Sequence, residues 1–178
     1  MKFIIIGPRS VGKTTVSKVL SKKVKTKFFD LDFEVEKELR NIDEFIEKNG
    51  IDAYRKKERV ILLKLIEKLP SKFVLAIGGG TVCSHLESVS QKNIKTLKRL
   101  GTLIYLCPSD NKKDAMKILM ERENKRGKFF TKNKTAFLFK KRIRVYEKIY
   151  GIKLITGRKT PSKIADQIIS KFQNSIHS

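Results

Sequence analysis

The sequence predicts an α/β fold in which a central parallel sheet of about five strands is covered by helices on both faces. Two observations predict it: short apolar runs alternate with helical patterns along the chain, and a glycine-rich loop joins the first run to the first helix. With 178 residues, 40% of them hydrophobic, the chain has the length and apolar content of one compact domain.

The predicted strands are apolar runs of strand length at residues 3–6, 73–77, 102–106 and 153–155, with a strand end at residues 28–29. After the first run, apolar residues at helical spacing predict a helix over residues 11–24. Helical patterns separate the other runs as well, which indicates parallel strands joined by helices. Ligands of such sheets bind beyond the carboxyl ends of the strands, so a site is expected at that edge.

Two stretches interrupt this alternation. Residues 33–69 are helical for longer than a simple crossover needs, and we expect them to form a substrate-binding helical insertion. Residues 122–134 are polar and lack periodicity, which is typical of a mobile lid. No internal repeat or linker divides the chain, so a single domain over residues 1–178 is expected.

Residues 7–14, GPRSVGKT, match the phosphate-binding pattern G-x-x-x-x-G-K-[ST] and lie between a predicted strand and a predicted helix. In this context backbone N–H groups and the start of the helix surround phosphate oxygens. Lys13 is expected to reach the β- and γ-phosphates, and Thr14 to offer its hydroxyl to Mg²⁺. Thr15 is expected to cap the helix or pack. The nucleotide-binding set is Gly7, Pro8, Arg9, Ser10, Val11, Gly12, Lys13, Thr14 and Thr15.

The segment FFDLDFEVEKE places Asp30 and Asp32 two residues apart at the end of a predicted strand. In extended geometry both carboxylates point to one side, where one could serve a metal and the other an acceptor. The alternative is that the pair caps the following helix.

Farther along lie YRKKE and then AIGGGTV, which directly follows the third predicted strand. With the phosphate loop and the aspartate pair in this order, the sequence resembles the shikimate kinase family over nearly its whole length. The resemblance implies a three-layer P-loop kinase fold with a helical insertion and a lid. It also implies transfer of the γ-phosphate of ATP to the 3-hydroxyl of shikimate, with Mg²⁺ as cofactor. Tyr54 replaces the usual phenylalanine of the family, while Arg55 and Glu58 occupy its arginine and glutamate positions.

The resemblance also implies roles for individual residues. Asp30 would lie near Mg²⁺, and Asp32 would bind and activate the attacking hydroxyl, so that Asp32 and Lys13 are catalytic candidates. Arg55 would hold the substrate carboxylate, which a planar guanidinium matches with two hydrogen bonds. Glycines at a strand end let a ligand approach the backbone, and the expected substrate contacts there are Gly78, Gly79 and Gly80.

The family's lid pattern, arginine-proline-leucine-leucine, is altered here to RGKF, with Arg126 in the arginine position. Arg126 would fold over the phosphates as a third catalytic and nucleotide-binding residue. Farther on, Arg142 precedes Tyr146 by four residues, as the family's second carboxylate-binding arginine does, although Arg144 competes for that role.

An arginine and a loop are expected at the adenine end of the nucleotide site. Arg122 could lie along the adenine ring through a cation–π contact, and the segment GRKTP resembles the family's adenine loop. Lys159 of that segment is counted with the nucleotide-binding residues. Solvent-exposed charges are the alternative for both side chains.

The amino-acid composition limits the kinds of partner that the protein can have. The chain carries 41 lysines and arginines against 18 acidic residues, a net charge of +23 that attracts polyanions. The lysines are spread along the chain, so a basic solvated surface is favoured over nucleic-acid binding. No apolar run reaches membrane-spanning length, and the two cysteines match no metal-ligand spacing. We therefore expect a cytoplasmic monomer with reduced thiols, no membrane association and a small-molecule substrate.

Two other functions stay open at this point. The first is another small-molecule kinase of the same fold, with gluconate or a nucleoside monophosphate as acceptor. The second is a nucleotide-switched module that uses the net charge of +23 to bind nucleic acid.

Overall fold

The structure, a computed structural model, describes residues 1–125 and 132–174; of residues 132–136 it describes the backbone only. The strands are β1 (Lys2–Ile6), β2 (Lys27–Asp30), β3 (Phe73–Ala76), β4 (Thr102–Cys107) and β5 (Ile152–Ile155). The helices are α1 (Lys13–Lys23), α2 (Leu31–Leu39), α3 (Ile42–Glu67), α4 (Glu87–Leu100), α5 (Lys112–Asn124), α6 (Lys132–Ile149) and α7 (Pro161–Asn174).

The strands form one five-stranded sheet in the order β2-β3-β1-β4-β5, and every neighbouring pair is parallel. The central strand β1 pairs on both sides, with Ile4 opposite Leu75 of β3 and Leu103 of β4. Strands covered on both faces are continuously apolar, and residues 3–6 and 73–76 are fully buried. The predicted parallel sheet is therefore confirmed, with strand ends that differ by a residue or two from those expected.

Helices cover both faces of the sheet and form two cores. On one face α2, α3 and α4 pack against side chains such as Ile4 and Leu75. On the other face α1, α5 and α7 pack against Phe3 and Ile5. Helix α6 contributes Tyr146 to the first core and residues such as Ile143 to the second, so it lies along the edge of both layers.

Both predicted interruptions contain helices. The insertion begins at Leu31 and consists of α2 and α3, and α3 changes direction at Gly50, which has φ 81° and ψ 162°. The predicted lid over residues 122–134 is helical at both ends, since α5 runs to Asn124 and α6 starts at Lys132. Expecting no periodic structure there was wrong for these ends, while residues 126–131 lie outside the described residues.

The described chain has no disulfide, no candidate membrane span and no cluster of metal-binding side chains. Cys83 and Cys107 are both free, and Cys107 is buried. Among residues 1–125 and 132–174, no helix has the length and apolar character needed to cross a membrane. The same residues contain no group of three or more histidine, cysteine or acidic side chains that could hold a metal ion by themselves.

Candidate active site

A cleft of about 400 Å³ lies at the carboxyl ends of β1 and β3. This is the edge at which parallel sheets bind ligands, and the volume is within the range of small-molecule sites. Its walls combine the phosphate loop, the start of α2, one turn of α3, the triple glycine and part of α6. The lining residues include Arg9, Lys13, Thr14, Asp32, Arg55, Glu58, Gly78, Gly79, Gly80, Phe139 and Arg142.

The phosphate loop owes its shape to two glycines with positive φ. Gly7 has φ 149°, and a Cβ there would lie 2.6 Å from the carbonyl oxygen of Leu106. Gly12 has φ 102° and forms the N-cap of α1, which starts at Lys13 rather than at residue 11 as predicted. The Nζ of Lys13 donates to the carbonyls of Gly7 and Pro8, both at 3.1 Å, and so stays inside the loop. The helix start and the ammonium group thus converge, as an anion site requires.

Thr15 does not have the role expected for it. It is exposed in the first turn of α1, and this helix has no side-chain cap. The expectation that Thr15 caps the helix or packs was therefore wrong. The neighbouring loop residue Val11, by contrast, is buried, and its carbonyl accepts a hydrogen bond from Arg122 at 2.9 Å.

Thr14 and Asp30 meet beside the phosphate loop. The Thr14 hydroxyl donates to Oδ2 of Asp30 at 2.8 Å, although sixteen residues separate them. The other carboxylate oxygen of Asp30 accepts from the backbone N–H of Asp32 at 3.1 Å and caps α2. The capping alternative considered for the aspartate pair is thus realised by Asp30, which still presents a carboxylate next to Thr14.

Asp32 reaches the cleft from a helix. The prediction of an extended segment with both carboxylates on one side was wrong, because β2 ends at Asp30 and Asp32 lies in the first turn of α2. The Asp32 side chain is exposed to solvent through the mouth of the cleft, but protein atoms surround it on its other sides. This burial raises the pKa of Asp32 above its ordinary value, while the positive charge of Lys13 opposes the rise.

Arg55 is held by a buried carboxylate. Its Nη1 donates to both oxygens of Glu58, at 3.0 and 2.9 Å, and only 15% of the Arg55 side chain is exposed. Burial raises the pKa of Glu58 and the Arg55 charge opposes this. The Thr81 hydroxyl donates to the same carboxylate at 3.1 Å, and Asn93 donates to the Thr81 carbonyl at 2.8 Å. The guanidinium also lies 4.8 Å from the ring centre of Tyr54, a cation–π contact.

The three consecutive glycines make room for side chains of the site. A Cβ on Gly78 would collide with the Asp32 carboxylate, and one on Gly80 would lie 2.6 Å from Cζ of Arg55. A Cβ on Gly79 would lie 3.1 Å from Nη1 of Arg142. None of the three has a positive φ. The expectation that missing side chains leave space for a ligand is thus modified, because the protein's own charged groups occupy that space.

Arg142 and Tyr146 approach the triple glycine from α6. The buried Tyr146 hydroxyl lies 3.2 Å from the carbonyl of Gly7 and 3.3 Å from that of Gly79, close enough to donate to either. It thereby connects the phosphate loop to the glycine segment. Arg142 lines the cleft, whereas Arg144 is exposed and lines a separate groove with residues such as Lys112. Of the two competing arginines, the one four residues before Tyr146 faces the cleft.

The expected adenine contacts lie at one end of the phosphate loop. The guanidinium of Arg122 donates to the carbonyls of Val11 and Gly157, at 2.9 and 2.7 Å, and so joins the loop to the segment after β5. The ammonium of Lys159 donates to Ile155 at 2.9 Å and to Gln167 at 3.2 Å. Its observed partners are therefore protein groups. Arg126 lies outside the described residues.

Several site residues were missed or given no role at the sequence level. The sequence placed Glu58 in a motif but did not predict its ion pair with Arg55. It gave no role to Glu123, which contacts the phosphate loop. Leu119, Leu138 and Phe139 form an apolar wall of the cleft. The i, i+3 spacing of Arg55 and Glu58 was the one local signal available. The other contacts join segments that are distant in sequence.

A phosphate loop after β1, an acidic pair at the end of β2 and two guanidinium groups across the cleft define a P-loop kinase with a small-molecule acceptor. The model of the family described as "Shikimate kinase" matches residues 9–173. The chain belongs to the shikimate kinase family.

Individual relatives agree with this assignment. A shikimate kinase of Clostridium botulinum (strain 657 / Type Ba4) is 34% identical over 157 residues, which cover 84% of either chain. One from Legionella pneumophila (strain Corby) is 27% identical over 172 residues, covering 93% of this chain and 90% of its own. The solved shikimate kinase of Acinetobacter baumannii in complex with shikimate has a TM-score of 0.81 at 24% identity, covering 98% of this chain and 93% of its own. This last likeness supports the three-layer kinase fold.

Proposed function

We propose that the protein transfers the γ-phosphate of ATP to the 3-hydroxyl of shikimate, giving ADP and shikimate 3-phosphate. The observation that carries the proposal is the sharing of one cleft by Lys13, the Asp32 carboxylate and the guanidinium of Arg55. A cationic phosphate site, a proton acceptor and a carboxylate grip are what phosphorylation of a hydroxy acid requires. Membership of the shikimate kinase family supports the choice of acceptor.

The nucleotide occupies the phosphate loop in this proposal. Backbone N–H groups of residues 9–15 and the start of α1 surround the phosphates, and Lys13 stabilises the charge that develops on the transferred group. Arg122, between Val11 and Gly157, borders the adenine end. Arg126 is proposed to close over the phosphates, and Lys159 supports the adenine loop through its bond to the Ile155 carbonyl.

Magnesium fits the oxygen groups beside the loop. Mg²⁺ prefers oxygen ligands and takes one or two of them from the protein, with the remainder from phosphates and water. Thr14 and Asp30 supply such a pair within 2.8 Å of one another, so they would hold the ion. When bound, it neutralises phosphate charge. The absence of a larger acidic cluster in the described chain is consistent with a shared phosphate–protein site.

The acceptor is held by charge and aimed by a carboxylate. Arg55 and Arg142 bind the shikimate carboxylate, while the N–H groups of the triple glycine border the ring. Asp32 accepts a hydrogen bond from the attacking hydroxyl and takes its proton as the phosphoryl group is transferred. Glu58 fixes the position of the Arg55 guanidinium. The guanidinium therefore orients the shikimate ring as well as attracting its carboxylate.

A coupled assay of ADP release tests the proposal, with shikimate compared against gluconate and nucleoside monophosphates as acceptors. Wild-type turnover is expected with shikimate alone. Asp32→Asn should lower kcat by roughly a hundredfold or more, and Arg55→Ala should raise the KM for shikimate. Asp114→Asn and Arg99→Met, at exposed positions outside the cleft, are the matched controls. Turnover of another acceptor in place of shikimate would refute the substrate, and no turnover by the folded enzyme would refute the reaction.

We also propose that the protein acts as a cytoplasmic monomer whose positive surface has no nucleic-acid partner. The spread of its charged residues along the chain, rather than in one arm, supports the lack of a nucleic-acid partner. Sedimentation, without and with RNA and DNA oligonucleotides at physiological salt, tests the monomeric state and the lack of a nucleic-acid partner. A dimer, or a salt-sensitive complex with either oligonucleotide, would contradict them.

A further inference from the structure

A buried carboxylate of α5 grips the outer arm of the phosphate loop. Glu123 is only 4% exposed, and its Oε1 accepts from Arg9 Nε at 3.0 Å and from the Ser10 hydroxyl at 2.5 Å. Its other oxygen, Oε2, is buried and has no hydrogen-bond partner among the described residues. Two loop residues are thus bound through one oxygen of a single side chain.

The contact holds a part of the loop whose backbone is unusual. Ser10 has φ 60°, a left-handed conformation that costs free energy for a residue other than glycine. The neighbouring Arg122 donates to the carbonyl of Val11, so the last turn of α5 contacts loop residues 9, 10 and 11 in succession. Helix α5 ends at Asn124, within the first end of the predicted lid over residues 122–134.

Arg9 lies in the wall of the cleft with 44% of its side chain exposed. Its charge also reaches the acidic group across the cleft. Burial is the main influence and raises the pKa of Asp32, and Arg9 is among the cations that lower it, after Lys13 and Arg55. A guanidinium has five N–H donors, so an ion pair through Nε is compatible with binding phosphate oxygens. Arg9 is therefore a cation at the nucleotide end of the cleft.

We propose that the Arg9 side chain binds the phosphates of ATP and that Glu123 is the positioning residue that orients it. A carboxylate on Nε fixes the plane of the guanidinium, which then meets the phosphates without losing rotational freedom on binding. Nucleotide affinity thereby depends on an ion pair between the phosphate loop and α5. The inference rests on the proposed function only through its nucleotide and is independent of the acceptor.

The test combines Arg9→Met, Glu123→Gln and the double variant, with Arg99→Met and Glu121→Gln as controls at exposed positions. Calorimetry measures binding of a non-hydrolysable ATP analogue with Mg²⁺. Each single substitution is expected to weaken binding about tenfold, since each removes a charge-assisted contact or its orientation. The double variant should bind about as weakly as Arg9→Met, because coupled residues do not act additively. Arg9→Lys should restore part of the affinity, and the KM for shikimate should stay unchanged.

Several results would overturn the inference. If Arg9→Met binds the analogue like Arg99→Met, the side chain does not contact phosphate. If the two single effects multiply in the double variant, or Glu123→Gln lowers only the melting temperature, Glu123 does not act through Arg9. If Glu123→Gln fails to fold, Arg9→Met still decides whether Arg9 contacts phosphate, and Glu123→Asp, which keeps the charge on a shorter side chain, replaces Glu123→Gln in both the single and the double variant. A wild type that binds the analogue but leaves shikimate unmodified would refute the proposed function and leave this measurement valid.

Discussion

The guanidinium of Arg55 occupies the space in which a side chain at Gly80 would begin, since a Cβ there would lie 2.6 Å from Cζ of Arg55. Real Cβ atoms do not approach other atoms so closely. The cation is thus confined on one side by a backbone without a side chain and on the other by the carboxylate of Glu58. The glycine and the arginine, in different segments, form one structural unit.

Gly80→Ala should therefore impair shikimate binding without altering nucleotide binding. The added methyl group displaces Arg55 from its partner, and a charge-assisted contact is lost, so the KM for shikimate should rise about tenfold to a hundredfold. Steady-state kinetics with each substrate varied in turn measures this. Gly151→Ala is the matched control, because its Cβ would make ordinary contacts at 3.5 Å. Equal changes in both KM values would contradict this account.

The pH dependence of the reaction should report Asp32. The carboxylate must be ionised to accept a proton, and burial raises the pKa of Asp32 above the ordinary 3.8. Activity is then present above the raised pKa and lost as the pH falls through it. A profile of kcat/KM for shikimate between pH 4 and 8 should show an acid limb above the ordinary aspartate pKa, absent from the residual activity of Asp32→Asn. An acid limb shared by both enzymes would assign it to another group.

Tyr146→Phe should weaken the connection between the phosphate loop and the triple glycine. The hydroxyl lies 3.2 Å from the Gly7 carbonyl and 3.3 Å from that of Gly79, and its removal takes a donor from this pair of carbonyls, of which Gly7 keeps the Lys13 ammonium. The free energy of unfolding should fall by about 1–2 kcal/mol. Denaturant unfolding measures this, with Tyr150→Phe as a control at an exposed ring. The KM values for ATP and shikimate should both rise, a change that a purely global loss of stability would not cause.

Thr14→Val should raise the magnesium concentration needed for half-maximal activity by roughly tenfold, because it removes an oxygen ligand while keeping the shape of the side chain. Thr14→Ser retains the hydroxyl and serves as the control. Thr14 gives a cleaner test than Asp30, since Asp30 also caps the helix that carries Asp32. Titration of Mg²⁺ at fixed ATP measures the effect, and an unchanged midpoint in Thr14→Val would exclude Thr14 as a ligand.

Local sequence was sufficient to predict the sheet and the phosphate loop. Strands buried on both faces must be continuously apolar, so β1 and β3 are visible as runs of such residues. The loop is visible because its backbone requires Gly7 and Gly12 at fixed positions. Strand order was a different matter. It depends on how crossovers pack, and no residue pattern within one strand specifies that β3 lies between β2 and β1.

The contacts that shape the cleft depend on segments distant in sequence, which local patterns do not encode. Asp32 was assigned to an extended segment because a two-residue spacing in isolation fits a strand, whereas the cap formed by Asp30 starts a helix there. The grip of Glu123 on Ser10 spans 113 residues and has no local signature. For the same reason the sequence identified the triple glycine as a backbone feature, but not the space that it leaves for the side chains of Arg142 and Asp32.

Gly50 divides α3 into two arms that differ in how deeply their side chains are buried. The later arm carries Ile61, Leu62 and Leu65 in the core and also holds Arg55, whereas the earlier arm, residues 42–49, contributes only partly buried side chains such as Phe45. Mutations before the bend can thus accumulate over evolution without disturbing either the sheet or the position of Arg55. Orthologues should diverge faster in that arm than in the rest of the helix.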